Sequence, residues 1–420
     1  MRKILGFATA LLIAALPLGA QVPGASHRAP LSLAEARNQA RLNSPELVAA
    51  REAVTAARGW ERQAGALPNP MLSFSREQTS RNGETNWQSI VALDQPFEIG
   101  GQRGARRGVA ERHRAVAEAR LAGAAAQVDL QVTHSYALAV ATHWRARLAH
   151  VAADAFDEAQ RVSAARLEAG DVSGYQHRRL QLEAARYAAL RLETQVARDN
   201  ALGVLASLIG STDAALDSMT VLTDSLTPAP LTQSVDSLVS LALTNRSELR
   251  VARLEAAAAA AEARLADAER IPTPVLTGGF KNERLTTGVT ISGFVAGLSL
   301  PVPLWDRRSG AVEASRAEAA RRTADAAIQR RDTEREVRNA HAAHQALAAQ
   351  LEALRAQLGE SALTARKAAD TAYAEGEISL LEWLDSVRAY HEAAASYAGL
   401  WAEYIARRAA LERATGASLL

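Results

Sequence analysis

Two patterns of apolar positions alternate along the chain. In long stretches the spacing is helical. Val132, Tyr136, Val140, Trp144 and Leu148 recur every four residues, and Leu347, Leu351, Leu354 and Leu358 alternate threes and fours, as in a coiled-coil seam. In short stretches the alternation is residue by residue: Leu72 and Phe74 against Ser73 and Ser75, and Phe294, Ala296 and Leu298 against Val295 and Gly297. The first pattern predicts helices over about 32–66, 104–169, 174–209, 232–270, 310–375 and 378–415. The second predicts strands over about 70–78, 87–96, 274–283 and 289–300. Their weak alternation is usual for barrel strands. Arg81-Asn82-Gly83-Glu84 reads as the turn between the first two.

The order of elements occurs twice. NSPEL (43–47) answers NRSEL (245–249), and LPNPML answers IPTPVL roughly 204 residues further on. LDQPFEIGGQRGA (93–105) answers LSLPVPLWDRRSGA (298–311), and LEAGDVS (167–173) answers YAEGEIS (373–379). Prolines punctuate each copy. Pro68 and Pro70, then Pro272 and Pro274, end the first helix of each half, because proline removes a backbone donor and disfavours helix in the residue before it. Pro96, Pro301 and Pro303 precede the two long helical runs, which contain no proline and are therefore expected to be uninterrupted. At 1.5 Å per residue each would be about 100 Å long. Gly170 and Gly376 break them. Pro45 after Ser44 marks a restart within the first helix. The expected organisation is a first repeat over 21–210 with a helical hairpin at 104–209, a linker over 211–230, and a second repeat over 231–420 with a hairpin at 310–415.

Composition sharpens this reading. Of 420 residues, 48% are hydrophobic but only 5% aromatic, so alanine supplies much of the apolar content and favours close-packed helices over a thick core. Met1-Arg2-Lys3, the apolar run Ile4–Leu18 and the small residues before Gln21 have the anatomy of a secretory signal peptide over 1–20. With no cysteine, a lipoprotein anchor, disulfides and thiolate metal sites are excluded. The formal net charge of +2 gives no argument for nucleic acid. No later segment reads as a transmembrane helix, so membrane insertion would use strands.

Runs of roughly 9–12 residues suit tilted membrane-crossing strands. A sheet edge is intolerable in lipid, and bacterial barrels have at least about eight strands, so four per chain demand an oligomer. A rival reading is a periplasmic coiled-coil scaffold without a pore. It leaves unexplained why extended runs of spanning length sit at equivalent places in both halves.

The doubled order of helix, Pro-x-Pro, two strands and long hairpin with a glycine tip resembles the TolC family of outer-membrane efflux proteins over nearly everything after residue 31. DQPFEIGGQRGARRGVAE and LPVPLWDRRSGAVEASRAEA resemble its CzcC-like cation-efflux branch more narrowly. The resemblance implies a mainly α fold with a small β part: tandem-duplicated helical hairpins form a periplasmic tunnel, and four strands join a trimeric barrel in the outer membrane. It implies passive conduction and partners comprising two further copies, a periplasmic adaptor (membrane fusion) protein, an inner-membrane transporter of the RND type and outer-membrane lipid. Heavy-metal cations are the expected substrate, with drug efflux or type I secretion through the same duct as the alternative. The prolines Pro68, Pro70, Pro96, Pro272, Pro274, Pro301 and Pro303 would then mark the junctions between tunnel and barrel.

No catalytic arrangement, nucleotide loop or H-E-x-x-H spacing is present, and no cofactor is expected. Gly100-Gly101 reads as a turn. By resemblance, Glu382 and Asp385, three apart on one helix face, would ring the periplasmic mouth with Tyr373 nearby. Six carboxylates in a trimer would favour cations and raise one another's pKa. Spacing alone would make them an ordinary solvated face. The family's latching arginine and acidic partner are Ile378 and Gln176 here, so that latch does not carry over; Arg178 and Arg179 lie one turn beyond Gln176 and could pair with Glu382 or Asp385. The tips, Gly170-Asp171 and Gly376-Glu377, are expected to meet the adaptor. His341 and His344 share the stripe of Leu347 and Leu351, which favours packing over metal ligation, and His134, His143 and His150 are scattered.

Overall fold

The computed structural model describes residues 31–82, 84–210, 231–358 and 360–419. The expected signal peptide and linker lie outside them. The first half runs α1 (Leu33–Asn43), α2 (Pro45–Ala64), β1 (Met71–Arg81), β2 (Glu84–Pro96), α3 (Gln102–Ala169) and α4 (Gly174–Ile209). The second runs α5 (Val235–Asn245), α6 (Ser247–Ala268), β3 (Val275–Arg284), β4 (Thr290–Ser299), α7 (Ser309–Gln357), α8 (Glu360–Glu375) and α9 (Leu380–Thr415).

Both leading helices are broken. The break before Pro45 is the expected one: Ser44 leaves the helix with φ −63° and ψ 121°, and its hydroxyl accepts the Leu47 N–H. The expected single helix over 232–270 is instead α5 and α6, divided at Arg246 in the same extended conformation without any proline. Here a tertiary contact imposes the bend. Arg246 is 4% exposed and its guanidinium bonds Glu336 of α7 at 2.7 Å, which holds the kink against the neighbouring helix.

The α3 helix is continuous for 68 residues, about 100 Å. Its core stripe is not the strict four-residue row: Val132, Tyr136 and Val140 are buried, but Trp144 is exposed and burial passes to Ala146, Ala149, Ala153 and Phe156. Each four-residue step turns about 40° past a full helical turn, so the row rotates away from the core. The second long run, expected to be uninterrupted, closes at Gln357 with Leu358 outside the helix and resumes at Glu360. Leu358 leaves the helix with φ −85° and ψ 4° while its N–H still bonds Leu354 O.

Three clusters hold the helices together. One joins α1, α3, α4, α7 and α9 around Val132, Tyr136, Leu205, Leu351, Trp401 and Tyr404. A second sits near the hairpin tips around Phe156, Leu180, Tyr187, Trp383 and Leu384. A third ties α5 to α7 and α9 through Leu238, Ala242, Val337 and Leu411. The strands form one antiparallel sheet in the order β1-β2-β3-β4, so both hairpins pair side by side and β1 and β4 are free edges. Arg81 opposes Glu84, and Asn82 adopts φ 52°, as a two-residue Asn-Gly connection requires. The β1 strand extends three residues beyond its expected end, and β2 begins three before its expected start.

Candidate functional site

The two hairpins end alike. Gly170 and Gly376 take left-handed φ of 85° and 83°, which closes α3 and α8 with reversed backbone bonds: Asp171 N–H to Arg166 O at 2.9 Å and Glu377 N–H to Ala372 O at 2.8 Å. Three residues after each glycine a serine caps the returning helix. Ser173 and Ser379 each accept an N–H from the residue three ahead, and that residue's side chain reaches back to the serine N–H. The reciprocating residues are Gln176 and Glu382. Gln176, which the resemblance set at an acidic-partner position, is therefore occupied in capping.

Glu382 and Asp385 are both exposed on the first turns of α9. The Glu382 carboxylate accepts the Ser379 N–H and hydroxyl, both at 2.8 Å, and the backbone bond foremost holds it below the usual carboxylate range within a protomer. Any raising by mutual repulsion would come from carboxylates of other copies. Among the described residues Arg178 and Arg179 pair with neither acid. The cross-tie between α4 and α9 is instead Arg388 to Glu183.

The two tips are joined by a residue that sequence reasoning missed. Arg166, in the last turn of α3, donates to Ala374 O at 2.7 Å and Tyr373 O at 3.5 Å, while its guanidinium lies 5.9 Å from the Tyr373 ring centroid. The last carbonyls of α8 have no helical donor ahead of them and carry the negative end of the helix dipole, so a cation is favoured there. Tyr373 is buried and stacks on Trp383 at 5.0 Å; Trp383 meets Phe156 edge-on at 5.1 Å, and Phe156 stacks on Tyr187 at 4.4 Å. Trp383 Nε1 donates to Asp370 at 2.8 Å, and Ile378 packs against the same cluster. An apolar contact thus stands where the resemblance would have placed an arginine.

His344 is 1% exposed and lies 4.7 Å from the Tyr404 ring. Burial foremost, and then Arg408 and His341, push its pKa down to about 4. Among the described residues no group of three or more potential ligands comes together to hold a metal.

The sheet register sorts its two faces. Leu72 opposes Leu93, Phe74 opposes Val91, Val91 opposes Phe280, and Phe280 opposes Phe294 with their rings 5.9 Å apart. Directly opposed residues share a face, so these and Leu298 form an exposed apolar band. The other face carries Ser73, Ser75, Glu77, Asp94, Thr277, Lys281 and Glu283 together with Ile90, Ile291 and Val295, with Thr277 bonding Asp94 at 2.5 Å and Lys281 pairing Glu283 at 2.9 Å. An apolar band on one face and Asp94, Lys281 and Glu283 on the other is a pattern that barrel strands show between lipid and lumen.

At the helix–sheet junctions the two repeats bind each other: Phe97 N–H donates to Pro274 O at 2.8 Å and the buried Gln102 amide to Ile271 O at 2.7 Å. Within the first repeat Gln95 donates to Pro68 O at 3.1 Å. Gly100 is needed for close approach, because a Cβ there would lie 2.6 Å from that of Ile271. Among the described residues no helix is long and apolar enough to cross a membrane.

Residues 238–417 match the family model described as outer membrane efflux protein. The chain is 24% identical to the cobalt-zinc-cadmium resistance protein CzcC of Cupriavidus metallidurans over 92% of its own length and 90% of the relative's. It is 28% identical to the nickel and cobalt resistance protein CnrC of the same organism over 74% of this chain and 71% of that one. The CmeC outer membrane channel of Campylobacter jejuni superposes with a TM-score of 0.74 at 17% identity, covering 91% and 85% of the two chains.

Proposed function

We propose that the chain is a member of the outer membrane efflux protein family, whose model matches residues 238–417, and that it is the exit duct of a tripartite pump for heavy-metal cations. It is an outer-membrane efflux channel with a periplasmic helical tunnel. Channels of the family form trimers and work with adaptors and inner-membrane transporters. In our reading three copies of the four-stranded sheet close one barrel, because β1 and β4 each leave a row of backbone groups that lipid cannot satisfy. The apolar band faces lipid and the polar face lines the lumen.

The observation that carries the substrate class is the end-to-end likeness to CzcC, a metal-resistance protein by name. The duct supplies no energy; an inner-membrane transporter of the RND type would drive export. Glu382 and Asp385 would ring the periplasmic mouth and concentrate cations there. The tips at Gly170-Asp171 and Gly376-Glu377, all exposed, would receive the adaptor.

Metal content and drug accumulation, measured side by side in cells with and without the gene, test the reading. Cells lacking the gene should retain more zinc, cobalt, cadmium or nickel with drug levels unchanged. Raised drug levels with unchanged metal would keep the duct and overturn the substrate.

A further inference from the structure

The two junctions that lead from sheet to long helix are not alike. In the first repeat the connection is tied down, although Phe97 and Ile99 are exposed: Glu98 pairs with Arg106, and Gly100 is wedged against Ile271 of the second repeat. In the second, residues 301–308 are all exposed, with Trp305 at 93% and Val302 at 68%. This segment and the end of α6 enclose a cleft of about 420 Å³. Leu298 belongs to the exposed apolar band, and Leu300, Val302 and Leu304 continue its even-numbered series beyond the sheet.

The charges in the cleft divide unequally. Arg308 holds a left-handed φ of 56°; its N–H donates to Asp306 at 2.8 Å and its guanidinium to Glu269 at 2.5 Å. Both nearby carboxylates are thereby engaged. Arg270 and Arg307 are exposed and have no ion-pair partner among the described residues. Guanidinium groups recognise phosphate by paired donors, and tryptophan concentrates where hydrocarbon meets headgroups.

We propose that Arg270, Arg307 and Trp305 form a binding site for the phosphate headgroup of an anionic phospholipid in the periplasmic leaflet of the outer membrane. The proposal rests on the membrane placement of the sheet. The cleft follows directly on the end of β4, whose apolar band faces lipid in that reading, and its two guanidiniums are free of ion pairs among the described residues; both favour a lipid over a second copy of the chain as the occupant. Trp305 lies along the acyl chain's upper end, and the arginines hold the phosphate.

The test uses the assembled full-length channel in phosphatidylcholine vesicles, with and without phosphatidylglycerol, carrying bromine near the headgroup end of the acyl chains. The emission lost on Trp305→Phe should be quenched about twofold. The phosphatidylglycerol needed for half-quenching should rise about tenfold in Arg270→Gln/Arg307→Gln. Trp87 on the sheet is the reference, read through Trp87→Phe with bromine at the same depth. If the Trp87 component is quenched and the Trp305 component is not, the site is overturned and the barrel stands; a Trp305 covered by a second copy gives this result. If neither is quenched, the membrane placement falls with it. Quenching of Trp305 that ignores both phosphatidylglycerol and the arginines overturns the headgroup site.

Discussion

A Cβ placed on Gly210 would lie 2.5 Å from the Cβ of Asn43. Gly210 takes φ 70° as it closes α4, and Asn43, the last residue of α1, donates its side-chain amide to Ile209 O at 2.8 Å. The second repeat makes the same contact: a Cβ on Gly416 would lie 2.7 Å from the Asn245 carbonyl. The end of each hairpin is thus seated in the break of its own leading helix. Gly210→Ala and Gly416→Ala each add left-handed strain and steric overlap, for a cost of about 2–4 kcal/mol. Gly101, with φ 77° but open space around it, is the control: Gly101→Ala should cost about 1 kcal/mol. Thermal unfolding followed by circular dichroism would rank the three.

Arg166 should govern how firmly the two tips hold together. Arg166→Gln removes two bonds to the end of α8, worth about 1–2 kcal/mol, and should shift an open–closed balance roughly tenfold toward open. Single-channel recording would show a larger open fraction with the fold intact. An unchanged open fraction would relegate Arg166 to ordinary packing.

The acidic mouth calls for variants that keep the helix cap. Glu382→Ala would remove both the charge and the bond to Ser379, whereas Glu382→Gln retains an acceptor for the capping box. The double variant Glu382→Gln/Asp385→Asn should weaken divalent-cation block of channel current about tenfold or more. Block that persists at wild-type strength would return these residues to a plain solvated face.

His344 predicts an acid limb in stability. Its folded pKa of about 4 lies below the ordinary value of 6.5, so the folded state resists protonation while the unfolded chain accepts it. The contribution is intact above pH 6.5 and is lost as pH falls toward 4, by up to roughly 3 kcal/mol per chain. His344→Phe should flatten the difference in unfolding free energy between neutral pH and pH 4.5. His143 and His391, also lowered by burial, should leave a smaller residual slope.

What could be read from the sequence was what local chemistry dictates. Pro68 and Pro272 stop helices wherever they stand, and Gly170 and Gly376 permit the left-handed turn regardless of surroundings. The alternation at Phe74 and Phe294 reported the strands. What escaped depends on residues distant in the chain. The kink at Arg246 is set by Glu336, the hold of Arg166 by carbonyls two hundred residues away, and the seat of Gly210 by Asn43. The aromatic column through Phe156 and Trp383 draws one residue at a time from different helices, so no single stretch displayed it.

The free edges of β1 and β4 have a genetic consequence. A chain that cannot complete its own wall gives each copy a veto over its neighbours. In a cell making equal amounts of sound and defective protein, random mixing would leave roughly one three-chain barrel in eight free of the defect. Variants that spoil conduction while sparing assembly should therefore act dominantly. Variants that prevent assembly should be recessive, because they never reach the wall they would have broken.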